Sequence, residues 1–143
     1  ISEKKIAVLG FAFKANTNDT RESPAIKICQ DLLEEGGNLQ IYDPRVSEEM
    51  ISYELKKKDE TIKINNENNE SWKCCNSIQE ASNEVDAVLI LTEWEEFKNI
   101  NWKELSKSMR SPKWLFDTRC IANLEEAKDA GINTWRLGNN EGI

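Results

Sequence analysis

Histidine is absent from this 143-residue chain. That removes the commonest general base near neutral pH and the commonest metal ligand. Zinc spacing is absent as well, because no two of the four cysteines form a CxxC pair and Cys74 and Cys75 are adjacent. Cys120 follows an expected strand, where a nucleophile can sit, but no histidine is available to activate it. Cys29 falls on the apolar face of an expected helix. All four are therefore read as reduced, structural thiols suited to a reducing cytoplasm, and no metal is expected. Long hydrophobic runs are missing: the longest, "AVLIL" at 87–91, is far shorter than a membrane span, and no signal-peptide pattern is present. Basic excess is also lacking. A formal net charge of -7 argues against nucleic acid or an anionic membrane as a partner. A small anion needs only two or three local cations and stays possible.

Glycine is scarce where it matters most. "KIAVLG" at 5–10 reads as a buried strand ending at Gly10, and the next glycine is Gly36. Neither the GxGxxG dinucleotide fingerprint nor the GxxxxGK[ST] phosphate loop can be built from this stretch, and Phe11 and Phe13 stand where small residues would be needed. Backbone cradling of a phosphate is thus not expected from this loop. Side chains would have to make the contacts.

What is present is an alternating pattern. Charged residues make up 31% and hydrophobic residues 38%, a soluble globular balance of one-domain length. Ser23-Pro24 opens a helix whose apolar positions Ala25, Ile28, Cys29, Leu32 and Leu33 keep the helical period until Gly36-Gly37 stops it. "NLQIY" at 38–42 is a second strand. The stretch 47–76 holds the charged runs "KKKDE" and "NNENNE", which read as a variable polar excursion, with "TIKI" as a candidate edge strand. "SIQE" at 77–80 opens a short helix, "DAVLIL" at 86–91 and "KWLFD" at 113–117 are strands, and Asn101 and Asn123 cap two further helices. Gly131 ends the last helix before the final strand, "INTWRL". The alternation predicts an α/β, Rossmann-like three-layer domain over residues 1–143, with an open, mainly parallel sheet of five or six strands. In such sheets ligands bind beyond the carboxyl ends of the strands, which selects the loops at 11–22, 43–46, 92–94 and 117–122.

Those loops hold the candidate site residues. Lys14 is a compact cation suited to a phosphate or hydroxyl oxygen, Phe13 offers a ring to a base, and Arg21 can make a forked contact. The plainer alternatives are a solvated lysine and an Arg21 paired with Asp19 or Glu22. Arg119, just past "LFD", projects from the same edge as Lys14 and suggests an anion; its plain alternative is a surface pair with Asp117. Trp94 and Phe97 read as core.

"GFAFKANTNDTRESPA", "IYDPRV", "LTEWEEF" and "LFDTR" stand in this order along the chain. Together they resemble the C-terminal, UDP-binding domain of the UDP-glucose/GDP-mannose dehydrogenase family, most closely its UDP-glucose 6-dehydrogenase branch. The likeness covers nearly the whole chain outside 47–76. It implies a fragment of a longer NAD-dependent enzyme that oxidises UDP-glucose to UDP-glucuronate with two NAD+, closing over its substrate in a homo-oligomer, a dimer or larger. It implies further that Phe13 and Lys14 are the substrate-contacting pair, that Arg119 binds the UDP-sugar, and that Arg21 reaches NAD held mainly by another domain. The family's catalytic cysteine, lysine and aspartate fall in regions outside this chain, so no catalytic residue is expected in it and none of its cysteines is the nucleophile. The alternatives are the equivalent domain of a UDP-N-acetylmannosamine or GDP-mannose dehydrogenase, or a non-catalytic assembly domain.

Overall fold

The computed structural model describes residues 3–57 and 71–136. Among these residues six strands form one sheet: β1 (Lys5–Leu9), β2 (Asn38–Tyr42), β3 (Trp72–Cys74), β4 (Ala87–Ile90), β5 (Lys113–Asp117) and β6 (Ile132–Arg136). Every neighbouring pair is parallel, in the order β3-β2-β1-β4-β5-β6. The chain reaches this order by building outward from β1 to β3 and then crossing back to β4 on the other side of β1. The switch between β1 and β4, where successive connections leave for opposite faces, is the place at the carboxyl edge where such sheets open a ligand crevice.

Among the described residues six helices complete the layers: α1 (Pro24–Glu34), α2 (Glu48–Lys57), α3 (Ile78–Ala81), α4 (Glu95–Lys98), α5 (Trp102–Ser106) and α6 (Leu124–Asp129). Their starts are written locally. Ser23, Ser77, Asn101 and Asn123 each accept a hydrogen bond from a backbone amide two or three residues on, which satisfies a donor that the first turn cannot. Gly36 at φ 90° and Gly131 at φ 88° adopt the left-handed conformation that lets the chain turn out of α1 and α6.

The register sets which residues share a face. Ile6 lies beside Leu39 and Ala87, and Val8 beside Ile41 and Leu89, all on the face that α1 and α2 approach. Ala7, Gln40, Val88 and Leu115 point to the opposite face; there Gln40 donates to the carbonyl of Ala81 at the end of α3 (2.7 Å). Val8, Val88 and Leu115 are fully buried, as are Phe97 and Trp102 from α4 and α5. Phe97 and Trp94 belong to this core.

The region 47–76 differs from a polar excursion at both flanks. Residues 48–57 form α2, which buries Ile51 and Leu55, and Trp72–Cys74 pairs with β2 as the edge strand β3. The periodic signal is weak there because α2 presents only one narrow apolar stripe and β3 has just three residues with pairing on one side. The "TIKI" segment and "NNENNE" lie outside the described residues.

Cys29 and Cys75 are buried, Cys74 half-buried and Cys120 exposed. Burial pushes the Cys29 thiol up to about 12 and the Cys75 thiol up to about 11, so neither is a thiolate at neutral pH. Cys120 departs from the buried pattern. It sits at φ 59° in the turn directly after Arg119, a position that most side chains avoid.

Candidate ligand site at the sheet switch

The loop after β1 is built around a carboxylate. Gly10, at φ 105°, turns the chain away from the strand, and the amides of Phe11 and Ala12 then converge on Asp43 Oδ2 at 2.7 and 3.0 Å. The indole of Trp94 donates to the same oxygen at 3.1 Å, and Asp43 Oδ1 accepts from the amide of Arg45 at 2.8 Å. Asp43 is 6% exposed. One buried carboxylate thus ties together the loops that follow β1, β2 and β4, and its charge is met by four donors.

This arrangement decides what the loop can bind. In a dinucleotide-binding turn the amides after the first glycine face the pyrophosphate. In this chain those amides already face Asp43, a fixed anion of the protein itself. The space a backbone approach would need is also filled. A Cβ on Gly10 would lie 2.5 Å from the Cβ and Oγ1 of Thr92 and 2.7 Å from its amide nitrogen. Thr92 Oγ1 donates to the carbonyl of Ala12 at 3.0 Å, and Ser23 Oγ donates to that of Phe11 at 2.9 Å. The residues present do not fit the pyrophosphate of NAD, and only outward-pointing side chains are left to meet an anion.

The three candidate cations on this edge are in three different states. Lys14 is exposed and makes no hydrogen bond or ion pair with the described residues. Phe13 beside it is 45% exposed while its amide donates to the carbonyl of Asp19 at 2.7 Å, so the ring is held outward by a closed loop. Arg21 forms the local fork with Asp19, Nε to Oδ1 and Nη2 to Oδ2, both at 3.0 Å, on a side chain that is 86% exposed. The hydrogen bonds from Arg21, side chain first and then backbone, pull the Asp19 carboxyl down to about 2. Arg119 does not pair with Asp117. Its Nη2 meets Glu93 Oε1 as an ion pair at 2.7 Å, both side chains remaining about one-third exposed.

Asp117 has another task. It is fully buried and accepts from the amides of Arg119 (3.0 Å), Ile121 (2.9 Å) and Ala122 (2.8 Å). Arg136 at the end of β6 supplies its counter-charge, Nη2 to Oδ2 at 3.1 Å, and donates also to the carbonyl of Ala122. Asp117 therefore shapes the loop after β5 as Asp43 shapes the loop after β1. The two carboxylates share a signal that sequence reasoning misses: an aspartate at the carboxyl end of a buried strand, in "IYD" and "LFD".

Glu93 and Thr92 are likewise site-builders that sequence reasoning misses. They join the loops of β1 and β5 through that of β4, since Thr92 holds the Ala12 carbonyl and Glu93 holds Arg119. Lys14 and Arg119 consequently sit on loops of one sheet edge that are joined through Thr92 and Glu93, although 105 positions separate them. Arg21 is placed in solvent, away from this link. A further bridge closes one end, where the Tyr42 hydroxyl donates to Glu96 at 2.8 Å; burial first, and then this bond, push the phenol pKa up. Among the described residues no cluster of three metal-ligating side chains occurs, and no helix is long and apolar enough to cross a membrane.

A set of side-chain cations at the carboxyl edge of a parallel sheet agrees with what the chain matches. The profile of the UDP-glucose/GDP-mannose dehydrogenase family, UDP binding domain, covers residues 7–124. The chain belongs to that family. UDP-glucose 6-dehydrogenase 2 of Arabidopsis thaliana is 38% identical over 145 residues, spanning 96% of this chain and 30% of that protein. UDP-glucose 6-dehydrogenase of Drosophila melanogaster is 41% identical over 142 residues, spanning 96% of this chain and 29% of that protein. Among solved structures, the UDP-D-ManNAc dehydrogenase of Pyrococcus horikoshii aligns with a TM-score of 0.70 at 30% identity, over 96% of this chain and 26% of that one. An NDP-N-acetyl-D-galactosaminuronic acid dehydrogenase from Methanosarcina mazei aligns with a TM-score of 0.74 at 19% identity, over 96% of this chain and 25% of that one; it shows the shared fold. This UDP binding domain thus spans 30% of the length of the first of these relatives.

Proposed function

We propose that the chain is the C-terminal, UDP-gripping domain of an NAD-dependent UDP-glucose 6-dehydrogenase. In the whole protein the primary alcohol of UDP-glucose would be oxidised to the carboxylate of UDP-glucuronate in two two-electron steps, each reducing one NAD+. The observation that carries this reading is the loop after β1 at the sheet switch. Its backbone amides are committed to Asp43, and Lys14 and Arg119 are left on this sheet edge to meet a diphosphate. The identity of 38 to 41% to proteins named UDP-glucose 6-dehydrogenase supports the choice of sugar nucleotide.

Roles follow from placement. Lys14 contributes a point charge to a phosphate or sugar oxygen, and Phe13 presents its ring beside it. Arg119 contributes a guanidinium already oriented by Glu93, which a bound anion can share or take over. Arg21, exposed beyond the crevice, faces the NAD held by the rest of the protein once the site closes. No catalytic group is assigned to these 143 residues. The complete enzyme is a homo-oligomer of the cytoplasm in this reading, and UDP-glucose is its small-molecule partner.

The deciding experiment measures NADH formation by the full-length protein with UDP-glucose, UDP-N-acetylmannosamine and GDP-mannose in parallel, together with calorimetric binding of UDP. Turnover with UDP-glucose in preference to the other two, and saturable UDP binding, are expected. Preference for another sugar nucleotide would move the protein to a sister branch. No binding of any nucleotide would leave an assembly domain.

A further inference from the structure

The two faces of the sheet are covered unequally. The helices that follow β3, β4 and β5 lie on the face of Val88 and Leu115, whereas among the described residues the opposite face has only α1 and α2, which cover the β1–β2 side. Beyond α1 that face carries Leu89 of β4, Trp114 and Phe116 of β5 and Trp135 of β6, brought side by side by the parallel register. The rings form a continuous row. Trp114 stacks on Phe116 at 5.5 Å with the planes 10° apart, and Phe116 meets Trp135 at 6.4 Å. Trp114 is 38% and Trp135 40% exposed. Between this row and Ile28 and Leu32 of α1 runs an apolar groove of about 490 Å³.

A contiguous aromatic face of this kind is unfavourable in water and marks a contact surface. We infer that it is the seat of a segment of the same protein that lies outside these 143 residues, packing an apolar stripe into the groove between α1 and β5. Three observations select that occupant. The relatives are more than three times longer than this chain, which spans 30% and 29% of two of them, so a full-length protein of that size has ample polypeptide to cover one sheet face. Lys4 and Ile6, at the entry to β1, line the groove, so it lies beside the start of the first strand. Lys4, Asp86 and Pro112, just before β1, β4 and β5, also line it, so an occupant can enter from the amino-terminal edge of the sheet, away from the ligand loops at the carboxyl edge. Sheet coverage supports this seat whichever nucleotide the crevice binds.

The test places the photo-reactive residue benzoylphenylalanine at position 135 of the full-length protein, where the partly exposed tryptophan tolerates replacement. After irradiation the cross-linked peptide is identified by mass spectrometry. A cross-link to a peptide from outside the 143 residues is the expected result. A cross-link to the same face of a second copy would overturn the inference and make this surface a self-association patch. Absence of any protein cross-link would overturn it as well, because the face would then be open to solvent. Position 114 is the second probe site and is read in the same way if the first variant does not accumulate.

Discussion

Asp43 and Trp94 meet across 51 positions of sequence, the indole nitrogen donating to Oδ2 of the buried carboxylate at 3.1 Å. The same oxygen receives the amides of Phe11 and Ala12, so one atom holds the loop of β1 against that of β4. The carboxylate occupies the place where a phosphate sits in a glycine-rich turn, and this leaves recognition to side chains.

Removing that carboxylate should therefore unfasten three loops together. Asp43→Ala leaves the buried amides and the indole without an acceptor, at a cost of about 1–3 kcal/mol for an unsatisfied buried group. A total loss of roughly 2–4 kcal/mol is expected, since the freed groups relax in part. Asp43→Asn keeps one acceptor oxygen and should lose less. Urea unfolding of both variants measures this, and an Asp43→Ala midpoint equal to that of the parent would show that the loops hold together without Asp43.

Gly10→Ala should be poorly tolerated for two independent reasons. Its φ of 105° lies outside the range open to alanine, and the new methyl would meet Thr92 at 2.5 Å. A loss of roughly 2 kcal/mol or more is expected, in the range of overpacked sites with backbone strain. Thr92→Ala in the same chain should not restore stability, because the Thr92 backbone nitrogen remains 2.7 Å away. Full rescue in a thermal melt would show that only the threonine side chain matters.

Lys14→Ala in the full-length protein tests a cation on the edge with no ion-pair partner among the described residues. A charge-assisted contact is worth about 1.5–3 kcal/mol, so UDP-glucose affinity or kcat/KM should fall roughly ten- to hundred-fold. Because Lys14 is exposed and supports nothing in the fold, thermal stability should not change. Unaltered kinetics would make it an ordinary solvated lysine.

The two arginines should separate kinetically. Arg119→Lys loses the forked geometry at the crevice and should mainly weaken UDP-glucose binding. Arg21→Lys should mainly raise the KM for NAD+ or lower kcat, since in the proposed function its contact with NAD would form only across the closed cleft. Steady-state kinetics with each substrate varied in turn, alongside calorimetric UDP binding, distinguish them. The opposite pattern would exchange their roles.

Acid should act through Asp86. Burial alone would raise its pKa, but the short bond from Arg110 Nη2 (2.6 Å) and the amide of Lys5 (2.8 Å) outweigh it and leave the carboxyl below the usual value. A depressed folded-state pKa gives stability that is fully present above the unfolded value, about 3.9, and is lost as pH falls through the folded value. Asp86→Asn should thus lower stability at neutral pH and flatten its dependence below about pH 4. Parallel acid titrations of parent and variant would contradict this assignment.

Much of the domain is legible in the sequence because its instructions are local. Ser23, Ser77, Asn101 and Asn123 cap helices by bonding to amides two or three residues away, and these bonds form regardless of what surrounds them. "KIAVL", "AVLI" and "KWLFD" are short apolar runs with strand-forming residues, and their alternation with helices leads to a parallel sheet. The want of glycine after Gly10 likewise points away from a backbone phosphate cradle. The edge elements are less legible: β3 pairs on one side only, and α2 buries a narrow stripe, so neither imposes a strong period.

Residue partnerships on the ligand edge had to wait for the tertiary structure. Nothing near Arg119 in sequence distinguishes Asp117 from Glu93 as its partner. Strand order does, by setting the loop of β4 beside that of β5 while Asp117 turns inward to three amides and Arg136. Asp43 reaches Phe11, Ala12 and Trp94 only because β2 and β4 flank β1. Local sequence determined where each strand and helix begins, since caps and turns are governed by neighbours along the chain. Contacts between loops depend on which strands are adjacent, and that order is decided by how the whole chain crosses and buries its faces.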